Sequence, residues 1–443
     1  MSQRTAGPGE PIVARLASRQ NIRRLARRER LASAIWPIPT ILGGAAFAAA
    51  AITTTLDEHH TLAVARGRFL VADTNTALTL TSVVATGMLV FLGIVFSTTL
   101  VAIQLAASQY SPRAVRVFLR SRLTKVSLGI FVATFVFAVA SLLEIRSSAA
   151  RSPGFTPVLS MALLSLLVVA TLVAFLVFAN GTARLLRVQY LIERIAEETR
   201  PAITFAFPAD EQLVHAVHPT DFAGGAEIDA GARTGVLDAV DIGGLAELGR
   251  RAGGWIELLV PIGTYIGADL RIAIVHAART PAADDVRRCL LLSNERTVLL
   301  DPGSGVRQLV DIAIRALSPA VNDPTTAVQV IDRIGDLLAR VADRSDPTEW
   351  YVDDETTARL RLVPNTLASV VRLAFVEIIR YGVDSPQVER RLRAVFEQLE
   401  LRSEPTVRAA VIEMHELLDI ASATSALPGF AEVRSVADPR GLG

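Results

Sequence analysis

Residues 152–183 read SPGFTPVLSMALLSLLVVATLVAFLVFANGTA and contain no charged side chain. A hydrocarbon core of about 30 Å is crossed by about 20 helical residues, so this segment is long enough to span a bilayer. A core helix of a soluble protein would carry a charged face within that length. Three further segments share this character, namely residues 31–56, 78–112 and 126–143. The sequence therefore predicts an α-helical membrane protein with four transmembrane helices.

The composition agrees with a large membrane portion. The chain has 443 residues, of which 51% are hydrophobic, and its mean hydropathy is +0.40. The formal net charge of only +1 indicates no overall field that would attract nucleic acid, so we expect no nucleic-acid partner. Cys289 is the single cysteine, which excludes an internal disulfide and a cysteine-based metal cluster.

Basic residues alternate between the loops. Eight arginines precede the first span and two lie in the first loop, whereas five basic residues fill the second connection, two the third, and four follow the last span. The positive-inside bias predicts that both termini are cytoplasmic and that the protein lies in a bacterial inner membrane. Alternatively, the first span is a cleaved signal sequence, although the long basic lead and the three later spans disfavour this.

The second span carries a regular series of small and polar residues. As one helix, residues 78–112 would be about 50 Å long, more than a bilayer requires. We call the series the polar stripe, since steps of four and seven place its members on one helix face. It contains Ser82, Thr86, Gly93, Ser97, Gln104 and Ser108. The stripe fits either the lining of a pore or close helix packing through small residues.

Two further groups lie near the membrane. Arg113, Arg116 and Arg120 share one face of a short predicted helix, which is typical of an interfacial helix on anionic headgroups or, alternatively, of an anion site. The first outer loop begins with four potential metal ligands, Asp57, Glu58, His59 and His60. Because no second cluster of ligands accompanies them, a solvated loop is favoured over a metal site. We expect no metal or other cofactor.

The residues after the fourth span predict a cytoplasmic α+β region. Short β-type runs read GVLDAV, WIELLV, DLRIAIV, CLLLS and RTVLL, with a short helix between the first two. Helices are predicted from residue 303 onward, including 356–381, 386–401 and 405–423. The predicted organisation is a basic segment (1–32), a membrane domain (33–182), a helix and linker (183–232), a small β domain (233–302), a helical domain (303–427) and a flexible tail (428–443).

A candidate binding loop joins two of the predicted cytoplasmic helices. Asp323 and Pro324 suit the start of a helix, but this role does not require the preceding asparagine or the Ser-Pro pair. Three charged residues precede the loop at four-residue spacing on one helix face. The candidate residues are Arg307, Asp311, Arg315, Ser318, Asn322, Asp323 and Thr325. A loop at a helix N-terminus would suit an anion or a partner carboxylate.

Two segments resemble a known family. Residues 307–334 read RQLVDIAIRALSPAVNDPTTAVQVIDRI, and residues 107–119 read ASQYSPRAVRVFL. Both are similar to the DUF2254 family of uncharacterised bacterial membrane proteins. The resemblance covers most of the chain and implies topology and domain order, without implying a substrate, cofactor or reaction.

The sequence contains no P-loop, dinucleotide-binding fingerprint or HExxH motif, so we expect a protein that is not an enzyme. The leading hypothesis is a homo-oligomeric, channel-like conduit whose cytoplasmic domain gates it, with lipid and an ion as partners. The alternative is a membrane-tethered scaffold or sensor that binds a cytoplasmic protein. A membrane enzyme built on buried ionisable groups is the third hypothesis.

Overall fold

The computed structural model describes residues 34–59, 74–109, 121–151, 157–185, 187–207, 225–293, 301–347, 349–353 and 357–424. These residues form two compact units that meet in the sequence between Leu191 and Ile192. Four sequence predictions lie outside the described residues: the basic lead (1–32), the helix of Arg113, Arg116 and Arg120, the RTVLL strand, and the tail (428–443).

The first unit contains four long helices: α1 (Pro37–His59), α2 (Thr74–Gln109), α3 (Arg122–Arg151) and α4 (Val158–Leu185). Each contains a stretch that is long and apolar enough to cross a membrane. The predicted α-helical membrane fold with a following α+β region is confirmed. Helix α2 has 36 residues, which corresponds to about 54 Å, so it exceeds the thickness of the hydrocarbon core.

Helix α3 lies at the centre of the first unit. Its membrane-spanning window is 56% buried within the chain, whereas the windows of the other three helices are each 28% buried. Small residues allow α1 to approach it closely, since a Cβ added at Gly129 would lie 2.5 Å from Leu42 Cδ1. On other faces of α3, the Phe131 ring makes edge contacts with Phe91 of α2 and Phe178 of α4. The bundle is therefore organised around one helix.

The second unit combines strands and helices. Most of α5 (Val188–Ala206) belongs to it, and the β-rich part that follows contains α6 (Ile242–Ala252) and α7 (Ala283–Arg288). The strands described there are β1 (Ala226–Asp229), β2 (Gly235–Val240), β3 (Trp255–Leu258), β4 (Tyr265–Ile266), β5 (Arg271–His276) and β6 (Leu290–Ser293). Two more strands come from later in the chain, β7 (Trp350–Val352) and β8 (Ala358–Leu362).

The strands form a five-stranded sheet of order β1-β5-β3-β8-β7 and a three-stranded sheet of order β4-β2-β6. Neighbouring strands are antiparallel except β3 and β8, which are parallel. Apolar side chains of both sheets and of α6 share one core, which includes Leu237, Leu245, Ile256 and Leu360. This core covers one face of the five-stranded sheet.

The remaining helices are α8 (Pro302–Ala316), α9 (Pro324–Ala339), α10 (Leu367–Gly382), α11 (Pro386–Glu400) and α12 (Pro405–Thr424). Helix α8 packs on α9 and α10, and α12 packs on α10 and α11. Aromatic contacts join α10 to α11, where the rings of Phe375 and Phe396 meet edge to face at 4.9 Å. The fully buried rings anchor the interior of this bundle.

The sequence prediction of a helix from Thr356 was wrong at its start. Residues 358–362 form β8, in which Ala358, Leu360 and Leu362 are buried at alternate positions. This is the period of two that a strand requires, but the run is short and merges with the helical pattern behind it. Helix α10 begins at Leu367, where the Thr366 hydroxyl accepts a hydrogen bond from Ser369 N–H. The β-rich part is therefore completed by residues of the predicted helical domain.

Gly254, which immediately precedes β3, allows the packing of this sheet to be tested by substitution. A Cβ added at Gly254 would lie 2.0 Å from the carbonyl oxygen of His276 and 2.7 Å from Ala277 Cα, both of which are backbone atoms. We expect Gly254→Ala to lower the free energy of unfolding by about 1–3 kcal/mol, because the backbone must shift. Denaturant titration of the detergent-solubilised protein measures it. At the control position Gly267 an added Cβ meets nothing within 4 Å, so equal losses for Gly254→Ala and Gly267→Ala would contradict the packing.

Candidate functional site

The polar stripe of α2 faces away from the helices of its own chain. Ser82, Thr86, Gly93, Ser97 and Gln104 are all exposed, and the side chain of Ser108 lies outside the described residues. The face of α2 that packs inside the chain is formed by other residues, namely Ala77, Thr81, Ala85, Met88, Val95, Thr99 and Ala102. At 100° per residue the two faces are separated by about 150°. The stripe therefore does not pack within a single chain.

Lipid is a poor environment for this stripe. A threonine hydroxyl can return to its own helix, as Thr98 does by donating to the Ile94 carbonyl at 2.9 Å. The Gln104 carboxamide has two donors and one acceptor, and one carbonyl of the same helix cannot satisfy them all. Gly93 leaves open space, since a Cβ added there meets nothing within 4 Å. The stripe thus combines hydrogen-bonding groups with room for a close neighbour.

Asp57, the first of the four potential metal ligands, has a structural role. Its Oδ1 accepts a hydrogen bond from Leu159 N–H at 2.9 Å, and its Oδ2 accepts bonds from Ser160 N–H at 3.0 Å and from the Ser160 hydroxyl at 2.8 Å. The carboxylate, which is 8% exposed, therefore satisfies the first turn of α4, where a helix exposes free N–H groups and positive charge. Asp57 at the end of α1 acts as a cap for α4.

The structure gives the metal interpretation no added support. The side chains of Glu58, His59 and His60 lie outside the described residues. Within the described parts of the chain, no three His, Cys, Asp or Glu side chains come together as a possible metal site. The oxygens of Asp57 face hydrogen-bond donors, which favours the capping role.

The candidate binding loop is a tightly bonded turn between α8 and α9. Both Asp323 carboxylate oxygens are engaged by Thr326, Oδ1 by its N–H at 3.1 Å and Oδ2 by its hydroxyl at 2.6 Å. The Ser318 carbonyl accepts the N–H groups of Val321 and Asn322, and the Ser318 hydroxyl donates to the Arg315 carbonyl at 2.7 Å. Asn322 has a φ of +48°, a conformation that asparagine tolerates better than most residues. Folding of the turn thus accounts for the asparagine and the serine.

Arg307 joins two helices. Its Nε donates to Asp311 at 2.9 Å, and its two terminal nitrogens engage both oxygens of Glu377 on α10. This hydrogen bonding from Arg307 lowers the pKa of Glu377, and the Glu377 carboxylate raises the pKa of Arg307. Arg307 and Asp311 therefore serve to connect α8 to α10.

The outer face of the five-stranded sheet carries a cluster that the sequence analysis missed. The ring of Trp255 stacks on His276 with centroids 4.1 Å apart and lies 4.9 Å from the ring of Trp350. The Arg361 guanidinium lies over Trp350 and donates to Glu257 at 2.8 Å, and Glu257 also lies 3.3 Å from His276 Nε2. The members lie on four strands and span more than 100 residues of the sequence, so no sequence motif could indicate them.

A small cleft lies where the β-rich part meets the helices of the second unit. Its volume is about 140 Å³, and its polar lining includes Thr264, Asp301, Asn365 and Ser369. Asn365 Nδ2 donates to the Ile262 carbonyl at 3.1 Å. Ligand pockets for drug-sized molecules measure about 300–1,000 Å³, so this cleft suits only water or a very small polar molecule.

Comparisons with known proteins agree with a membrane protein. The model of a family described as predicted membrane protein (DUF2254) matches residues 32–398. The uncharacterized proteins Mb1321c of Mycobacterium bovis and Rv1290c of Mycobacterium tuberculosis are each 29% identical over 316 residues, which cover 69% of this chain. The chain matches 60% of the length of these relatives. No solved structure shows a significant match.

The capping role of Asp57 leads to a stability prediction. We expect Asp57→Ala to destabilise the first unit by about 0.5–2 kcal/mol, the usual cost of losing a helix cap. Asp57→Asn keeps one acceptor oxygen and should cost less. Thermal unfolding in detergent measures both changes. Two results together would contradict the capping role and favour a metal. Asp57→Asn would lose as much stability as Asp57→Ala, and added zinc would raise the thermal midpoint of the unaltered protein but not that of Asp57→Asn.

The pair of Arg307 and Glu377 leads to a pH prediction. The folded state lowers the pKa of Glu377, so the pair stabilises the fold above the ordinary pKa of glutamate and loses that contribution as the pH falls through the lowered pKa. Glu377→Gln should therefore lose less stability than the unaltered protein between about pH 6 and pH 3. At pH 7 the substitution should lower the free energy of unfolding by no more than about 1 kcal/mol, because both side chains are partly exposed to solvent, which screens their charges.

The matched control for this pH dependence is Glu416→Gln, a substitution of an exposed glutamate on α12. Stability is measured by denaturant titration at each pH. Identical pH profiles for Glu377→Gln and Glu416→Gln would contradict a specific role of the pair with Arg307.

Proposed function

The chain belongs to the DUF2254 family of predicted membrane proteins, and we propose that it forms a homo-oligomeric conduit in which α2 helices of neighbouring copies face one another. The observation that supports this proposal is the outward direction of the polar stripe. Ser82, Thr86, Gly93, Ser97 and Gln104 are exposed, although they belong to a helix that is apolar enough to cross a membrane.

A second copy of the chain satisfies the stripe best. Polar side chains that face lipid are costly, and membrane proteins bury them against other helices or around water. The stripe of one chain is complementary to the same stripe of another, because hydroxyl and carboxamide groups are both donors and acceptors. Symmetric association of identical surfaces is also the commonest form of assembly.

The length of the stripe favours a conduit over simple packing. From Ser82 to Gln104 the helix rises about 33 Å, which is close to the thickness of the hydrocarbon core. A pair of helices that cross at one point needs small residues only near the crossing. A path for water or ions needs hydrogen-bonding groups along the whole depth. Since the stripe carries no charge, the conduit would favour small polar species without a strong selection by sign.

In this proposal the second unit is a cytoplasmic gating domain, and the protein is a non-enzymatic component of a bacterial inner membrane with both termini inside. The interfacial helix that the sequence predicts for Arg113, Arg116 and Arg120 would hold anionic headgroups at the cytoplasmic end of α2. The arginine distribution of the sequence supports this orientation.

A scaffold or sensor function is the second candidate, and the outer face of the five-stranded sheet favours it. Tryptophan and arginine are the residues that most often anchor protein interfaces, and Trp350 and Arg361 lie together there. The candidate binding loop is a weaker candidate for a partner site, because the side chains of Ser318 and Asp323 form hydrogen bonds within the turn. Affinity capture with Trp350→Ala should lose a cytoplasmic partner that Arg372→Ala retains. Unchanged partners would remove this candidate.

Cross-linking tests whether the stripe lies between copies. In a Cys289→Ser background, we expect Ser97→Cys to form disulfide-linked dimers in native membranes. Thr99→Cys, which lies on the inner face of α2, and Ile94→Cys, which is 60% exposed but off the stripe, should remain monomeric. Denaturing gels without reductant measure the products. Equal cross-linking of Ser97→Cys and Ile94→Cys would indicate random collision and contradict the arrangement.

Flux through proteoliposomes tests whether the assembly conducts. We expect salt-dependent flux or current that Ser97→Leu combined with Gln104→Leu reduces at least about tenfold, since each leucine removes a group that replaces water around a permeating species. Ile94→Leu combined with Val101→Leu should leave the flux unchanged. A folded oligomer that is silent across salts and voltages would exclude the conduit but would leave the assembly itself intact.

A further inference from the structure

A second set of polar groups lies inside the bundle of each chain. Helix α3 carries a hydroxyl at every seventh residue, and each of these residues is at most 3% exposed. They are Ser127, Thr134, Ser141 and Ser148. Because seven residues are almost two turns of a helix, the four side chains point in nearly the same direction. One contact identifies this direction, since the Thr134 hydroxyl lies 2.8 Å from the Thr171 hydroxyl of α4.

Two of these hydroxyls differ from the others. Within the part of the chain that the structure describes, Ser141 Oγ and Ser148 Oγ are buried and have no hydrogen-bond partner. Serine in a helix usually donates to a carbonyl one turn earlier, as Ser165 does to Met161. A buried hydroxyl without a partner is costly, and an apolar residue at the same place would avoid this cost. The two serines therefore indicate a bound polar species.

The helix register brings both serines to the level of the Asp57 cap. Helices α3 and α4 run antiparallel, and Thr134 of α3 lies next to Thr171 of α4. Ser160 comes 11 residues before Thr171, so it lies opposite a point about 11 residues after Thr134. This point is between Ser141 and Ser148. Helices α1 and α3 run parallel, because Gly43 approaches Val132 while Gly129 approaches Leu42. The offset between these contacting residues of α1 and α3 places Asp57 opposite about residue 145, which also lies between Ser141 and Ser148.

The cap already forms a polar cluster at this level. The Ser160 hydroxyl lies 3.2 Å from Thr53 Oγ1 and 3.5 Å from Thr54 Oγ1, in addition to its bond with Asp57. Each of these four residues is at most 8% exposed. The cluster holds oxygen atoms with unused lone pairs, which can accept hydrogen bonds from a small donor.

We propose that Ser141 and Ser148, together with Asp57 and Ser160, line a hydrated site inside each chain, where water bridges the two serine hydroxyls to the carboxylate cluster. Water fits because a buried water needs two to four polar partners, which this level of the bundle provides. A metal cation fits less well. The Asp57 oxygens face the N–H groups of the first turn of α4, where the helix dipole is positive and repels a cation.

The site lies apart from the polar stripe of α2, which faces out of the chain, so it does not depend on the proposed conduit. The site lies near the end of the bundle where α1 ends and α4 begins.

Thiol reactivity tests the proposal, because a cysteine forms its reactive thiolate only where water reaches it. In the full-length Cys289→Ser protein in liposomes, Ser141→Cys and Ser148→Cys are treated with a small charged methanethiosulfonate. The controls are Ala138→Cys, which is fully buried in an apolar cluster, and Leu143→Cys, which is 63% exposed toward lipid. We expect both serine variants to react at least about tenfold faster than either control, in keeping with their higher thiolate fraction. Rates equal to that of Ala138→Cys would overturn the proposal.

Alanine variants give a second readout that does not require a reactive cysteine. If the site is hydrated, Ser141→Ala and Ser148→Ala remove partners of bound water and lower the thermal midpoint. If the site is dry, each change removes a hydroxyl without a partner and raises the midpoint. A raised midpoint in both variants would overturn the proposal even if the cysteine variants failed to fold.

Discussion

A polar group inside a bilayer must find its hydrogen-bond partner within protein or bound water, and the first unit depends on this constraint. Asp57 accepts hydrogen bonds from the first turn of α4, and the Thr134 hydroxyl pairs with that of Thr171. The hydroxyls of Thr54 and Thr99 donate to carbonyls of their own helices. Helix α3 can therefore be both the most buried helix and one rich in hydroxyls. The stripe of α2 is not covered within a single chain, and the proposed assembly rests on the same constraint.

The second unit uses arginine as a connector between elements that are distant in sequence. Arg307 joins α8 to α10, Arg372 of α10 pairs with Glu413 of α12, and Arg391 of α11 pairs with Asp332 of α9. The planar guanidinium can engage both oxygens of a carboxylate, which fixes the orientation of two helices as well as their distance. These arginines hold a bundle together, so the abundance of arginine in the chain does not by itself indicate a binding site.

Local patterns allowed much of the fold to be predicted from the sequence. The four spans follow from uncharged runs, and β2, β3, β5 and β6 follow from short runs of branched and aliphatic residues. Strand β8 was missed because its run is short and because β3, one of the two strands with which it pairs, lies about 100 residues earlier. The Asp57 cap and the ring cluster of Trp255 and His276 were missed for the same reason, since tertiary contacts create them. The stripe was visible in the sequence, but its direction became known only from the packing of α2.

In the proposed assembly, other copies of the chain cover the outward stripe of α2. The mass of the protein in lipid nanodiscs, measured without cross-linker, tests it most directly. We expect particles that contain two or more chains of 47.5 kDa each, and the number of chains per particle should persist on dilution. Particles that contain a single chain at every concentration, with the protein folded, would contradict it.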